Sequence, residues 1–203
     1  MIRTGDMLEN PVTGERLLFR KTSSDTGGEA TIFETFLKPN GFVAAAHVHP
    51  FQEERFEILQ GRVGFRHGRA TIVAGPGGRL VVPAGTPHRF WNAGEEEAHF
   101  LCEVRPALQF EQLIETMFAL AADGKTNDKG LPNLLQLAVI ADATFDTVRL
   151  PFPPAWVQRL GLSVLAPIGS LLGYRQVYAL AAQPARGNAA AYAKVPVRWD
   201  DAA

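Results

Sequence analysis

Three histidines and a glutamate in the first half of the chain could together bind a metal ion. His47 and His49 are one residue apart, Glu53 and Glu54 follow them closely, and His88 begins another apolar segment. On a β-strand, residues i and i+2 point to the same face, so the two neighbouring imidazoles would project together. Only one of the two adjacent glutamates could face them, because consecutive strand residues point in opposite directions.

The residue types favour a transition metal, and nearby turns would bring the ligands together. A neutral imidazole is a good ligand for Fe, Mn, Co, Ni or Zn, and one carboxylate offsets part of the charge. Pro50 cannot continue a strand ladder, so the chain should turn after the first two histidines. The sequence PAGTP at 83–87 is typical of a turn and leads directly into His88. We therefore expect one divalent transition metal, with coordination positions left open for water, substrate or dioxygen.

Residues 1 to about 105 are dense in β-strand signals. Short apolar and β-branched segments alternate with clusters of Gly, Pro, Asn and Asp. Many short strands with frequent turns predict an all-β sandwich or barrel. The predicted strands are Arg16–Lys21, Ala30–Leu37, Glu54–Leu59, Arg62–Arg66, Ala70–Val73, Arg79–Val82, His88–Asn92 and Ala98–Val104.

The hydrophobic period changes at Pro106 from that of strands to that of helices. Apolar residues recur on one helical face from Leu108 to Ala122, and Gly124 is placed to end that helix. Leu131 to Ala143 is a second predicted helix, and it is apolar nearly all round. Such a helix should be buried against another element.

The uncharged segment Leu160–Tyr174 raises the question of a membrane span. It is shorter than the ~20 apolar residues that a span needs, and it contains Pro167 and three glycines. We predict no stable span and a buried helical hairpin instead. Weak contact with a membrane interface through residues 156–174 is the second interpretation.

The composition is that of an ordinary globular protein. The 203 residues carry a formal net charge of −1, which gives no basic field to attract nucleic acid. Cys102 is the sole cysteine, so no intramolecular disulfide can form, and its apolar surroundings predict a buried thiol. The N-terminal residues show no apolar core of a signal peptide, so a cytoplasmic location is the expectation.

Two longer motifs resemble those of the cupin superfamily. The first is Gly41-x5-His47-x-His49-x4-Glu54-x6-Gly61, and the second is Gly77-x5-Pro83-x-Gly85-x2-His88-x3-Asn92. Every defining position is present, and the resemblance covers about residues 30–105. It implies a mainly β fold, a double-stranded β-helix or jelly-roll barrel with the metal inside. The helical segment would then be an α-helical C-terminal extension outside both motifs.

The resemblance also implies which residues form the site. Glu54, not Glu53, occupies the ligand position, so the implied metal ligands are His47, His49, Glu54 and His88. His67, in a predicted solvated hairpin turn, and His99, a predicted surface strand residue, are not expected to be ligands. Gln52 could support the site from behind, and a structural role is expected for Asn92. The candidates for lining the pocket are Phe36, Phe56, Phe65, Phe90, Gln52 and Asn92.

The implied site predicts a metal-dependent oxidoreductase, similar to a dioxygenase, that acts on a small organic molecule. The phenylalanines favour an aromatic or other carbon-rich substrate. A metal-dependent isomerase would need the same ligands, and a non-catalytic protein that binds metal or a small molecule is the alternative from another class. No separate catalytic base is apparent in the sequence.

The expected organisation has three parts. Residues 1–105 would form the barrel, and residues 106–182 would form a helical extension that packs on the barrel or caps its mouth. Residues 183–203 would be a loosely held tail. The family resemblance also implies a homodimer.

Overall fold

Two β-sheets enclose the interior of a barrel in the computed structural model, which describes residues 2–179 and the backbone of residues 183–184. The larger sheet has the strand order β10-β1-β2-β3-β9-β4-β7, and the smaller has the order β6-β5-β8. All pairings are antiparallel. The strands are β1 Asp6–Asn10, β2 Glu15–Lys21, β3 Thr31–Leu37, β4 Glu53–Gln60, β5 Val63–His67, β6 Ala70–Ala74, β7 Arg79–Val82, β8 His88–Asn92, β9 Ala98–Arg105 and β10 Gln183–Pro184.

Alternating burial along the strands creates the barrel interior. In β4, Glu54, Phe56 and Ile58 are buried, while the residues between them are partly exposed. This is the period of two that a half-buried strand requires. The main core lies between the two sheets and includes Phe19, Phe33, Phe56, Phe65, Phe100 and Val104.

Three helices follow the barrel: α1 Phe110–Ala122, α2 Leu134–Ala143 and α3 Ala155–Leu171. After α1, Gly124 has φ 66° and its N–H donates to the carbonyl of Ala121, so it ends the helix as predicted. At the start of α2 the side chain of Asn133 accepts a hydrogen bond from the N–H of Gln136. The predicted fold class, a mainly β jelly-roll with an α-helical C-terminal extension, is confirmed.

Two details of the barrel differ from the prediction. Strand β1 was not predicted, because Met7 and Leu8 are its only apolar residues and the alternation is too short to recognise. The segment containing His47 and His49 is not a regular strand. It forms single antiparallel bridges from His47 to His88 and from Val48 to Arg149.

Helix α3 also differs, because the predicted buried hairpin is wrong. A single helix continues through Pro167. Trp156, Leu160 and Val164, which recur every four residues, are 71%, 64% and 56% exposed, so this apolar stripe faces outward. Within the described residues, no helix combines the length and the apolar character needed to cross a bilayer.

The predicted tail lies almost entirely outside the described residues. The backbone of Gln183 and Pro184 pairs with Asp6 and Met7 at the edge of the larger sheet.

Candidate metal centre

A direct backbone link joins the two motifs. The N–H of His47 donates to the carbonyl of His88, and the N–H of His88 donates to the carbonyl of His47, each at 2.9 Å. Glu54 enters from the neighbouring larger sheet, where β4 pairs with β9 and β7. The two sheets therefore meet at this group of side chains.

The four predicted ligands converge on one point. One potential ligand atom from each of His47, His49, Glu54 and His88 lies within 4.8 Å of the other three. Nε2 of His88 is 2.6 Å from Oε2 of Glu54, and Nε2 of His49 is 3.6 Å from Oε1 of Glu54. Of these atoms, Nε2 of His49, Nε2 of His88 and Oε2 of Glu54 are buried without an aligned hydrogen bond. Buried polar atoms without partners are costly, and a shared cation would satisfy all of them.

The opposite ring nitrogens fix the orientation of the imidazoles. Nδ1 of His47 is 2.9 Å from the carbonyl oxygen of Ala45, and Nδ1 of His88 is 3.0 Å from that of Thr86. A carbonyl only accepts, so each Nδ1 must carry the proton. Each Nε2 then presents its lone pair to the common point. These residues therefore fit a metal ion.

His49 is held by two acceptors, one from the barrel and one from the segment between α2 and α3. Its Nδ1 lies 2.8 Å from Oε1 of Gln52 and 2.7 Å from the carbonyl oxygen of Thr147. The amide nitrogen of Gln52 donates in turn to the carbonyls of Pro106 and Ala107, at 2.8 and 3.0 Å. Groups of this kind orient a ligating histidine and raise its basicity.

The electrostatics of the group favour a cation. Burial would raise the pKa of Glu54, but the three neighbouring histidines outweigh it and lower that pKa to about 2. Burial, together with the nearby His88 and His49, lowers the pKa of His47 to about 3. Burial acts to lower the pKa of His88 as well, but the Glu54 carboxylate overcomes it and raises that pKa. At neutral pH the group therefore holds one carboxylate and at least one neutral imidazole whose lone pair is free.

An apolar cavity of about 600 Å³ extends from this group between the barrel interior and the helices. Phe33, Phe56, Phe90 and Phe100 line it on the barrel side, and residues of α1, α2 and α3 line it on the other. Polar residues are few in the lining. The helices thus form one wall of the cavity, and its shape depends on them.

The predicted pocket residues divide into two groups. Phe56 and Phe90 line the cavity. Phe36 does not, because it points to the outer face of the larger sheet, where its ring stacks on His99 at 4.3 Å. Phe65 is packed behind Phe56, with ring centroids 5.0 Å apart, and is absent from the lining.

The two polar candidates support the cavity from outside it. Gln52 is buried behind His49. The amide nitrogen of Asn92 donates to the carbonyls of Leu37, Lys38 and Glu96, at 2.8, 3.1 and 2.7 Å. Asn92 therefore joins chain segments and does not line the pocket.

The other histidines and the cysteine lie outside the group of four. His99 lies on the outer face, where its Nε2 is 2.8 Å from Oε2 of Glu34. His67 lies opposite His88 across β5 and β8; the residue is half-buried and its Nε2 is buried, so it is less solvated than predicted. Cys102 is buried, as expected from its apolar surroundings. Burial, with the nearby carboxylates of Glu54 and Glu103, raises the pKa of its thiol well above the usual value.

Sequence reasoning missed one further polar group of the cavity, formed by Asn10, Glu15 and Thr35. Burial raises the pKa of Glu15 to about 7, although a hydrogen bond from Thr13 acts in the opposite direction. The alternation of β2 and β3 could have placed Glu15 and Thr35 on defined faces. Which of those faces points inward, however, depends on the sheets that cover them.

Comparison with known proteins finds a match over the segment that contains these residues. Residues 33–104 match the family model described as "Cupin domain". The matched segment contains all four converging side chains and both motifs. Residues 33–104 of this chain are therefore a cupin domain.

The similarity to one curated relative extends beyond residues 33–104. A protein of Hypocrea virens named "Probable oxidoreductase virH" is 30% identical over 145 residues, which are 65% of this chain. The match spans 64% of that relative's length.

Several solved structures resemble part of this chain at low identity. A predicted oxalate decarboxylase from Thermotoga maritima is 18% identical, with a TM-score of 0.46 over 52% of this chain and 98% of that one. A sugar phosphate isomerase from Silicibacter pomeroyi is 22% identical, with a TM-score of 0.42 over 47% of this chain and 62% of that one.

Proposed function

We propose that this protein is a metal-dependent oxidoreductase that acts on a small, largely apolar organic molecule. One divalent transition metal would be bound by His47, His49, Glu54 and His88. The observation that carries the proposal is the position of these four side chains at the wall of an apolar cavity of about 600 Å³. A pocket of this size can enclose a small organic ligand, and its lining would bind hydrocarbon or aromatic surface.

The described side chains suggest how the site would work. When bound, the metal would supply Lewis acidity and, if it is redox-active, the capacity for oxygen chemistry of the dioxygenase kind. Gln52 and the carbonyl of Thr147 would hold His49 in its ligating tautomer. The helices that line the cavity would exclude water from an apolar substrate, which strengthens electrostatic interactions within the site.

The curated relative supports the same class of reaction, because its name describes it as a probable oxidoreductase. Its name gives no substrate, so the substrate class rests on the cavity. The cytoplasmic location and the homodimer that we predicted remain predictions.

The first experiment is metal analysis of protein purified without an affinity histidine tag and without added metal. We expect close to one equivalent of Fe, Mn, Co, Ni or Zn in the wild type and its loss in His49→Ala and His88→Ala. His99→Gln is the matched control, because His99 lies on the outer face of the sheet. A wild-type protein that retains no such metal and cannot be loaded with one would overturn the proposal.

The second experiment measures oxygen consumption with a panel of catechols, flavonols and diketones. A rate that disappears in His49→Ala and His88→Ala but persists in His99→Gln would support an oxidoreductase. Turnover without oxygen would instead indicate the isomerase. Metal-loaded protein with no turnover in either assay would indicate a non-catalytic binding protein.

A further inference from the structure

A polar group lies at the end of the cavity that is remote from the metal ligands. Glu15 pairs with Leu37 in the β2–β3 register, whereas Glu54 lies in the row of Val104 and Thr31. Thr31 and Leu37 are six residues apart on β3, which is roughly 20 Å measured along a strand. Because both glutamates line the same cavity, that cavity connects the two ends.

Glu15 is buried but lacks an ionic partner. Its Oε2 accepts a hydrogen bond from the hydroxyl of Thr13 at 2.8 Å. Within residues 2–179, neither an ion pair nor a second hydrogen bond to its carboxylate is found. A buried carboxylate that has no cation beside it is unfavourable, so the group either keeps its proton or accepts a hydrogen bond from a ligand donor.

Thr35 adds a second unused polar atom on the same wall. It is almost fully buried, and its Oγ1 has no hydrogen-bond partner. Thr35 pairs with Leu17 while Glu15 pairs with Leu37, so Glu15 and Thr35 are diagonal neighbours on the inner face. Such neighbours are about 7–8 Å apart, which leaves room for a small polar group between them.

The loop between α1 and α2 closes this end of the cavity. Gly130 lines the cavity with φ 75°, and a Cβ added there would lie 2.9 Å from Cγ2 of Thr13. The backbone of the extension thus approaches the β1–β2 turn closely. Glu15 and Thr35 are consequently enclosed, and a ligand group that reaches them would be removed from water.

We propose that Glu15 and Thr35 form a specificity subsite that binds a hydrogen-bond donor, a hydroxyl or an ammonium group, at the far end of an elongated apolar substrate. The inference rests on the proposed function only in that the other end of the substrate would reach the metal. The substrate class is then an elongated apolar molecule with a metal-binding head and a donor at its tail. The cavity lining would contact the part in between.

The first arm of the test needs no metal. Calorimetry with EDTA-treated protein would measure the binding of decylamine and of decanol, with decane sulfonate as the probe that lacks a donor. We expect decylamine to bind the wild type and its affinity to fall about tenfold in Glu15→Leu, as for loss of a charge-assisted hydrogen bond. Glu15→Gln keeps the shape and an acceptor but has no negative charge. It should therefore lower the affinity for decylamine more than the affinity for decanol.

The matched controls separate the subsite from a general loss of structure. Thr35→Val, which is nearly isosteric, should lower the affinities for decanol and decylamine by a smaller factor than Glu15→Leu lowers that for decylamine. Glu95→Gln, in an exposed turn, should change neither affinity. If decylamine and decanol bind a folded Glu15→Gln and a folded Thr35→Val as tightly as the wild type, or if neither binds the wild type, the subsite is overturned.

The second arm of the test uses ligands that would reach both the metal and the subsite. Alkyl hydroxamates of increasing length that carry a terminal amine or a terminal methyl group would be titrated into metal-loaded protein. We expect the amine to be favoured over the methyl at one chain length, and this preference to disappear in Glu15→Leu. If the first arm succeeds but the protein binds no metal, the proposed function fails while the subsite stands. If metal and methyl-terminated hydroxamates bind but no length favours the amine, the subsite is wrong while the metal site stands.

Discussion

The carbonyl oxygen of Thr147 lies 2.7 Å from Nδ1 of His49, although the two residues are 98 positions apart in the chain. The contact is reinforced two residues further on. Val48 and Arg149 exchange two backbone hydrogen bonds, at 2.9 and 3.0 Å. The segment between α2 and α3 therefore adds a short strand pairing to the chain that carries two of the proposed ligands.

This pairing predicts that backbone changes in the extension weaken the metal site. Arg149→Pro removes the N–H that donates to the carbonyl of Val48. We expect metal affinity to fall about tenfold, as for loss of a group that orients a ligand. Arg149→Ala removes the same side chain but keeps the N–H, so it is the matched control. Competition with a fluorescent chelator would measure both, and equal affinities in the two variants would contradict the prediction.

A second prediction concerns Gln52, which connects His49 to the carbonyls of Pro106 and Ala107. Gln52→Met has a similar volume but removes one acceptor from Nδ1 and both hydrogen bonds that the Gln52 amide donates, which leaves the carbonyl of Ala107 with only the N–H of Phe110. We expect metal affinity about tenfold lower and a free energy of unfolding lower by about 1–3 kcal/mol. Chelator competition and urea unfolding measure the two effects. Gln60→Met, at an exposed position, is the control, and an unchanged affinity in Gln52→Met would show that Thr147 alone suffices.

A third prediction tests whether the cavity is the ligand site. Gly161 of α3 lines the cavity, and a Cβ added there meets no atom within 4 Å. Gly161→Phe should therefore fill part of the cavity and leave the metal ligands untouched. We expect metal content to be unchanged while binding of alkyl hydroxamates to the metal-loaded protein falls at least about tenfold.

Gly161→Ala is the control for that variant, because it changes the helix but adds only one methyl group. Replacing an interior helical glycine by alanine should stabilise the protein by up to about 1 kcal/mol. Its hydroxamate affinity should stay close to that of the wild type. Undiminished binding by a folded Gly161→Phe would show that the ligand reaches the metal by another path.

The sequence predicted those features that depend on short spacings. The period of two gave His47 and His49 a common direction, and it grouped Glu54 with Phe56 and Ile58. The structure has both arrangements, even though the histidines lie on isolated bridges rather than on a regular strand. The change of period at Pro106 likewise predicted α1 and α2 to within a few residues.

Features that depend on distant pairings could not be predicted in the same way. The contact between Thr147 and His49 requires the path of the chain between α2 and α3, which no local pattern specifies. Phe36 and Thr35 lie on opposite faces of β3, but alternation alone does not tell which face is inward. The sequence of α3 is apolar on several sides. It does not show whether a neighbouring element covers Trp156 and Leu160, and in the structure both are exposed.

A fourth prediction follows from the raised pKa of Glu15, which is about 7 because the side chain is buried. The folded protein then holds this proton up to about pH 7, whereas the unfolded chain releases it near the ordinary value of 4.5. The contribution of Glu15 to the free energy of unfolding therefore falls as the pH rises from about 4.5 to 7 and is constant above that range. The loss attributable to Glu15 is roughly 3 kcal/mol, at 1.36 kcal/mol for each pKa unit. Glu15→Gln removes this titration.

The difference in the free energy of unfolding between Glu15→Gln and the wild type should consequently grow in favour of the variant from pH 4.5 to pH 8. Urea unfolding in EDTA measures it without the contribution of a metal. The difference also cancels the titration of the groups that the two proteins share. Glu95→Gln gives the baseline for an exposed carboxylate. A difference that stays constant over this range would mean that Glu15 is already ionised in the folded protein. In that case a cation or ordered water must reach it, and the far end of the cavity would be hydrated even without a ligand.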